Sequence, residues 1–156
     1  MYKSLKLIHL LMLILFLGTI FTYVMISIMV ENAPLADLVF GRKIILTGTN
    51  YLTLPALWIL VLSGFAMGYK KYGFQNRFFR IKLGIGLLLL LNAHFIVGPA
   101  VAEASCSAIN SLVEGTLDAG YPEAYFKETV FGAVNVCLTL LALGVSIGKK
   151  GSDIKI

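Results

Sequence analysis

The sequence predicts an all-α integral membrane protein, a single-domain four-helix bundle with up-down-up-down topology. The chain has 156 residues, of which 58% are hydrophobic and 13% charged, and its mean hydropathy is +0.87. A soluble domain of this size has too small an interior to bury that much apolar surface. Four apolar stretches each supply the roughly 20 residues that a bilayer requires: Leu5–Val30, Ile44–Met67, Ile81–Val101 and Thr129–Ile147.

The distribution of charge predicts how these spans are oriented. With a cytoplasmic N-terminus, ten basic residues fall inside and three outside, as the positive-inside rule expects. The inside residues are Lys3, Lys6, Lys70, Lys71, Arg77, Arg80, Lys82, Lys149, Lys150 and Lys155, and the outside residues are Arg42, Lys43 and Lys127. We therefore expect both termini in the cytoplasm and a location in the bacterial inner (plasma) membrane. Because topology accounts for the net charge of +5, no nucleic-acid partner is expected.

The first two spans contain local polar features. Span one is longer than the apolar region of a signal peptide and no small-residue cleavage site follows it, so we expect it to be retained. Span two opens with the polar run Thr47–Thr53, which we expect to face protein or a cavity. Pro55 removes a backbone donor and is expected to kink this helix.

The segment from about residue 102 to 127 is the longest connection. Its first part has an apolar helical face formed by Ile109, Leu112, Val113 and Leu117, so it either extends span three or caps the outer mouth of the bundle. Cys106 lies in this segment and Cys137 lies in the middle of span four. Their depths differ by about 15 Å at the helical rise, so no disulfide is expected.

Counting at about 1.5 Å per residue separates the polar residues of the spans into two levels. The inner level contains His9, Arg80 and Lys82, and the outer level contains Asn50, Asn92, His94 and Asn135. The two histidines differ in depth by about 14 Å at that rise, so we do not expect them to ligate one iron. His9 and Lys82 are the ionisable pair predicted at one depth, and ionisable groups inside a membrane usually mark functional sites.

Two interpretations of these levels stay open. In the first, His9 is a lone axial ligand of a b-type haem, Lys82 fills the opposite position or leaves it open, and Arg80 and Lys82 meet the propionates. In the second, Lys82 extends toward the headgroups and His9 only bonds a neighbouring helix.

A second polar cluster, formed by Asn50, His94 and Asn135, also has two interpretations: it fastens helices, or it lines a cavity for a small molecule. No other catalytic pattern occurs in the sequence. It has no paired carboxylates, no nucleophile with a base, no phosphate-binding loop and no zinc-ligand spacing.

Three segments resemble those of a known family. They are Leu5-Lys6-Leu7-Ile8-His9; Tyr51-Leu52-Thr53-Leu54-Pro55 followed by Ser63-Gly64; and Phe78-Phe79-Arg80-Ile81-Lys82-Leu83 followed by Asn92-Ala93-His94. In order and spacing they are similar to the HemJ-like four-helix integral membrane proteins, which are related to the CopD type.

The resemblance implies a haem b cofactor with His9 as its ligand and Lys82 as the functional, candidate catalytic, partner. It also implies protoporphyrinogen IX oxidase activity with onward electron transfer, and hence a porphyrin or a quinone as partner. The alternatives are a non-redox bundle that binds or transports a small molecule or lipid, and a structural membrane subunit. Membrane lipids and a second copy of the chain are further candidate partners.

Overall fold

The computed structural model describes residues 2–152, and side chains for residues 3–146. Over this range it has four long helices: α1 (Tyr2–Val30), α2 (Leu35–Tyr72), α3 (Arg77–Glu114) and α4 (Tyr121–Ser152). They pack as a bundle, and each is long and apolar enough to cross a membrane. The predicted all-α bundle of four membrane helices is therefore confirmed.

Local signals in the sequence determine where the helices end. After α2, Gly73 adopts a φ of +67°, which favours glycine, and its N–H donates to the Tyr69 carbonyl at 3.0 Å. The Asn76 side chain then caps α3 by accepting the Phe78 N–H at 3.0 Å. Gly115, with a φ of +74°, ends α3 in the left-handed conformation. The short loops that result make consecutive helices antiparallel.

Each of the two middle helices is interrupted by a π-turn of five residues, Thr49–Thr53 in α2 and Ala93–Val97 in α3. A proline stands two residues after each turn, at Pro55 and Pro99. A proline lacks the N–H that would bond the carbonyl four residues earlier, and its ring clashes with that carbonyl. Widening the helix by one residue relieves the clash. The disturbance expected at Pro55 therefore takes the form of a π-turn, and Pro99 produces a second one.

The hydrophobic core lies midway along the bundle, around Phe16 of α1 and Leu57 of α2, which are 1% and 0% exposed. The other buried members of this cluster come from α2 and α3: Ala56, Leu60, Leu89, Leu90 and Ala93. Leu138 brings α4 against the same cluster. Burial in the middle of the bundle is what holds the four helices side by side.

The two ends of the bundle differ in charge. The basic end, where α2 ends and α3 begins, carries Lys70, Lys71, Arg77 and Arg80, and the opposite, acidic end carries Glu31, Asp37, Glu114 and Asp118. Of the two possibilities for the segment after span three, the structure has the extension, because α3 continues without a break to Glu114. The side chains of Lys149 and Lys150, and all of Lys155, lie outside the described residues.

A buried ion pair joins α2 to α4 at the acidic end. Arg42 is 1% exposed, and both of its terminal nitrogens donate to the Glu128 carboxylate. The rings of Tyr121 and Tyr125 each lie 5.9 Å from the guanidinium, and the Ser105 hydroxyl donates to the Arg42 carbonyl at 3.4 Å. Three helices are therefore tied together at this one arginine.

Replacing Glu128 with leucine should lower the free energy of unfolding by about 3–5 kcal/mol, because it leaves the Arg42 guanidinium buried without its counter-charge. The double variant Arg42→Leu with Glu128→Leu removes both charges and should recover most of that loss. Titration of the micellar protein with SDS, followed by circular dichroism, measures the difference. Equal destabilisation of the single and double variants would contradict an energetic coupling between the two residues.

Candidate functional site

The His9 imidazole is fixed against α2 by two contacts of one ring nitrogen. Nδ1 lies 2.9 Å from the Leu60 carbonyl oxygen and 3.0 Å from the Ser63 hydroxyl, which itself donates to the same carbonyl at 3.0 Å. A carbonyl only accepts hydrogen bonds, so Nδ1 carries the proton in this contact. The other ring nitrogen, Nε2, then keeps its lone pair. This is the protonation state in which an imidazole can bind a metal through Nε2.

Gly64 makes room for that imidazole. A Cβ atom built on Gly64 would lie 3.0 Å from His9 Cε1, which is closer than most side-chain contacts, and 3.5 Å from Nδ1. The ring therefore packs against the backbone of α2, and a side chain at this position would have to displace it by a few tenths of an ångström. The Ser63-Gly64 pair of the sequence thus has a defined structural role beside His9.

Lys82 lies on α3. It is partly buried, and its ammonium lies 5.2 Å from the centre of the Phe78 ring. Arg80 is exposed and, with Arg77 and Ile81, lines an open cavity of about 410 Å³ at the basic end. The predicted inner set therefore consists of two partly buried residues, His9 and Lys82, and one surface residue.

The structure does not bring together the three residues predicted to form the second polar cluster. Asn135 is 3% exposed, and its side-chain oxygen accepts a hydrogen bond of 2.8 Å from Asn92, which also donates to the Phe131 carbonyl. Asn50 and His94 are both exposed, and neither is hydrogen-bonded to Asn135 in the described part of the chain. The pair that joins α3 to α4 is thus Asn92 with Asn135.

Sequence reasoning missed the Arg42–Glu128 pair, since it assigned Arg42 to an outer connection. The available signal was position, because Arg42 stands two residues before predicted span two and Glu128 one residue before predicted span four. It also missed a hydroxyl cluster in which Thr53 donates to Thr19 at 2.9 Å and lies 3.3 Å from the Tyr23 hydroxyl. Both contacts join helices and involve no candidate ligand.

The two cysteines, Cys106 and Cys137, are free and exposed. Within residues 2–152, no three histidine, cysteine or acidic side chains converge in a way that could hold a metal ion.

Comparison with protein-family models, curated proteins and solved structures finds no match to this chain.

Valine at position 64 should displace the His9 ring and break its hydrogen bond to Leu60, at a cost of about 1–3 kcal/mol in the free energy of unfolding. The matched control is Gly84→Val, because no atom lies within 4 Å of a Cβ at Gly84. This control should change stability by less than about 0.5 kcal/mol. Imidazole ¹⁵N chemical shifts would report the Nδ1–H tautomer, kept in the control and lost in Gly64→Val. An unchanged His9 spectrum in Gly64→Val would contradict the assigned role of the glycine.

Proposed function

We propose that this protein binds b-type haem near its basic end and takes part in membrane redox chemistry, as its HemJ-like resemblance implies. His9 would ligate the iron, Lys82 would be the second functional group, and Arg80 would hold a propionate. The proposed activity is oxidation of protoporphyrinogen IX, with electrons passed to an acceptor such as a quinone. The observation that carries the proposal is the hydrogen bond between His9 Nδ1 and the Leu60 carbonyl.

That hydrogen bond is the support that a ligating histidine needs. Histidines that bind metals generally donate their second ring N–H to a carbonyl or carboxylate, which fixes the ring and makes the ligating nitrogen more basic. His9 has this arrangement with Leu60, and its Nε2 makes no hydrogen bond to any described residue. Ser63, bonded to both groups, restricts the ring further.

Basic side chains near the basic end also support the proposal. Bound haem would supply a one-electron redox centre, while the chain's own residues bind and orient it. Arg80 is exposed at the basic end beside Arg77, where a propionate would meet water and a cation together. Lys82 would supply a further nitrogen ligand or a positive charge. His94 is exposed on α3 and takes no part.

The same proposal includes the orientation of the protein. The basic end faces the cytoplasm, in keeping with the positive-inside rule, and the membrane is the bacterial inner membrane. The proposed haem site then lies in the cytoplasmic leaflet.

A second candidate is a bundle with no redox role, either a structural subunit or a binder of a small molecule or lipid. It is favoured by the fact that the His9 contact also joins α1 to α2, as the Asn92 contact joins α3 to α4. In that case the polar residues only fasten helices. The presence or absence of bound haem separates the two candidates.

Protein purified in detergent should show a Soret band, or acquire one when haemin is added. His9→Ala should abolish it, because it removes the ligating nitrogen. The matched control is His94→Ala, which changes the only other histidine of the chain and should leave the band intact. Colourless protein that also fails to take up haemin would overturn the proposal and favour the second candidate.

Substitutions of the two basic residues should affect haem binding differently. Arg80→Gln should weaken haem affinity by about tenfold, roughly the contribution of one charge-assisted hydrogen bond, and leave the Soret position unchanged. Lys82→Ala should shift the Soret maximum if its amine is a ligand, and reduce affinity alone if it acts as a charge. Lys70→Gln, also at the basic end, is the control. If Lys70→Gln lowers haem affinity as much as Arg80→Gln does, Arg80 has no specific contact with a propionate. The basic end then attracts the propionates by its charge alone.

A further inference from the structure

An open groove of about 490 Å³ lies on one face of α2, next to the acidic end. It is lined by Phe40, Lys43, Ile44, Thr47 and Gly48. These residues recur at intervals of three and four and so share one side of the helix. Because Lys43 is the last charged residue before the apolar run, the groove starts at the membrane boundary and continues into the membrane. A ligand that fits it has a polar head and an apolar body.

The cation at the mouth of this groove has no carboxylate partner. Arg42 is paired with Glu128, and Lys127 is paired with Glu123 at 2.9 Å. Lys43, by contrast, forms no ion pair with any described residue, although this end of the bundle is rich in carboxylates. Its ammonium is therefore available to an anionic group outside the protein.

A hydroxyl group lies one helical turn deeper. Thr47 is about 6 Å below Lys43 at the helical rise, is exposed, and makes no side-chain hydrogen bond to the described residues. The hydroxyls of Thr22 and Thr129, in contrast, each donate to the carbonyl four residues earlier. The Thr47 hydroxyl can therefore donate to an acceptor in the groove.

Gly48 forms the apolar floor. The Tyr23 hydroxyl lies against it, so any side chain at this position would collide with the tyrosine. The exposed ring of Phe40 and the Ile44 side chain provide the apolar walls. The groove thus presents a cation near its mouth, a hydroxyl donor one turn deeper, and apolar surface from Phe40, Ile44 and Gly48 along its length.

We propose that this groove binds one anionic phospholipid. The phosphate pairs with Lys43, an ester carbonyl of the glycerol backbone accepts the hydrogen bond from Thr47, and an acyl chain continues past Gly48 toward the middle of the membrane. A phospholipid has its ester groups a few ångströms deeper than its phosphate, which matches the two polar levels. A fatty acid has only one polar group and cannot use both. The proposal is independent of haem binding.

The test is a titration of the delipidated protein with phosphatidylglycerol, phosphatidylcholine and oleate, with bound lipid counted by native mass spectrometry. The wild type should bind one phosphatidylglycerol about fivefold more tightly than phosphatidylcholine, the factor expected for one lysine near a membrane surface. Lys43→Gln should remove this preference and Lys43→Arg should keep it. Thr47→Val should weaken binding of both phospholipids and leave oleate unchanged.

Lys127→Gln is the matched control, because it removes a lysine from the same end that is already paired with Glu123. It should keep the preference for phosphatidylglycerol. An equal loss in Lys127→Gln and Lys43→Gln would overturn the proposal in favour of diffuse attraction by surface charge. Tighter binding of oleate, with no effect of Thr47→Val, would overturn it in favour of a fatty-acid site.

Discussion

The architecture depends on one constraint: hydrocarbon provides no water to a buried polar group, so the protein must supply the partner. Three contacts between helices meet this requirement at different depths: His9 with Leu60 near the basic end, Asn92 with Asn135 midway, and Arg42 with Glu128 at the acidic end. They join α1 to α2, α3 to α4, and α2 to α4. Each contact forms at only one axial register, so together they restrict sliding of the helices, which apolar packing alone does not prevent.

The same constraint shapes the backbone around the two prolines. Each proline leaves the carbonyl four residues earlier without its usual partner, and the π-turn lets the helix continue with the bonding pattern shifted by one residue. The first turn is also fastened from outside α2, because Thr53 within it donates to Thr19 of α1. A turn that widens α2 is thereby held in a fixed position relative to its neighbour.

Apolar length was enough to predict four helices, and residue counting predicts that His9 and Lys82 lie at similar depth. Counting does not give the direction in which a side chain leaves its helix. α1 is apolar on nearly every side, so no stripe orients it, and each π-turn adds a residue that rotates the next segment by about 100°. Asn50 and His94, which the sequence analysis grouped with Asn135, lie within the turns and are exposed. The sequence analysis did not place Arg42 in a helix, because α2 begins at Leu35, nine residues before the apolar run that starts at Ile44.

α2 contributes to both proposed sites, one on each side of its π-turn: it lines the groove and supports His9 through Leu60 and Ser63. Gly48, at the deep end of the lipid groove, and Gly64, beneath His9, are 16 residues apart in the sequence, or about 24 Å along the helix. The interior between them is filled by the core cluster, in which Phe16 and Leu57 are almost fully buried. An acyl chain in the groove therefore packs on the outer surface of α2 and does not reach the imidazole through the bundle. Binding at one site can influence the other only through α1 and α2, since Tyr23 and His9 lie on α1 and Gly48 and Gly64 lie on α2. The contacts of Thr53 and Leu60 with α1 oppose movement of these two helices relative to each other.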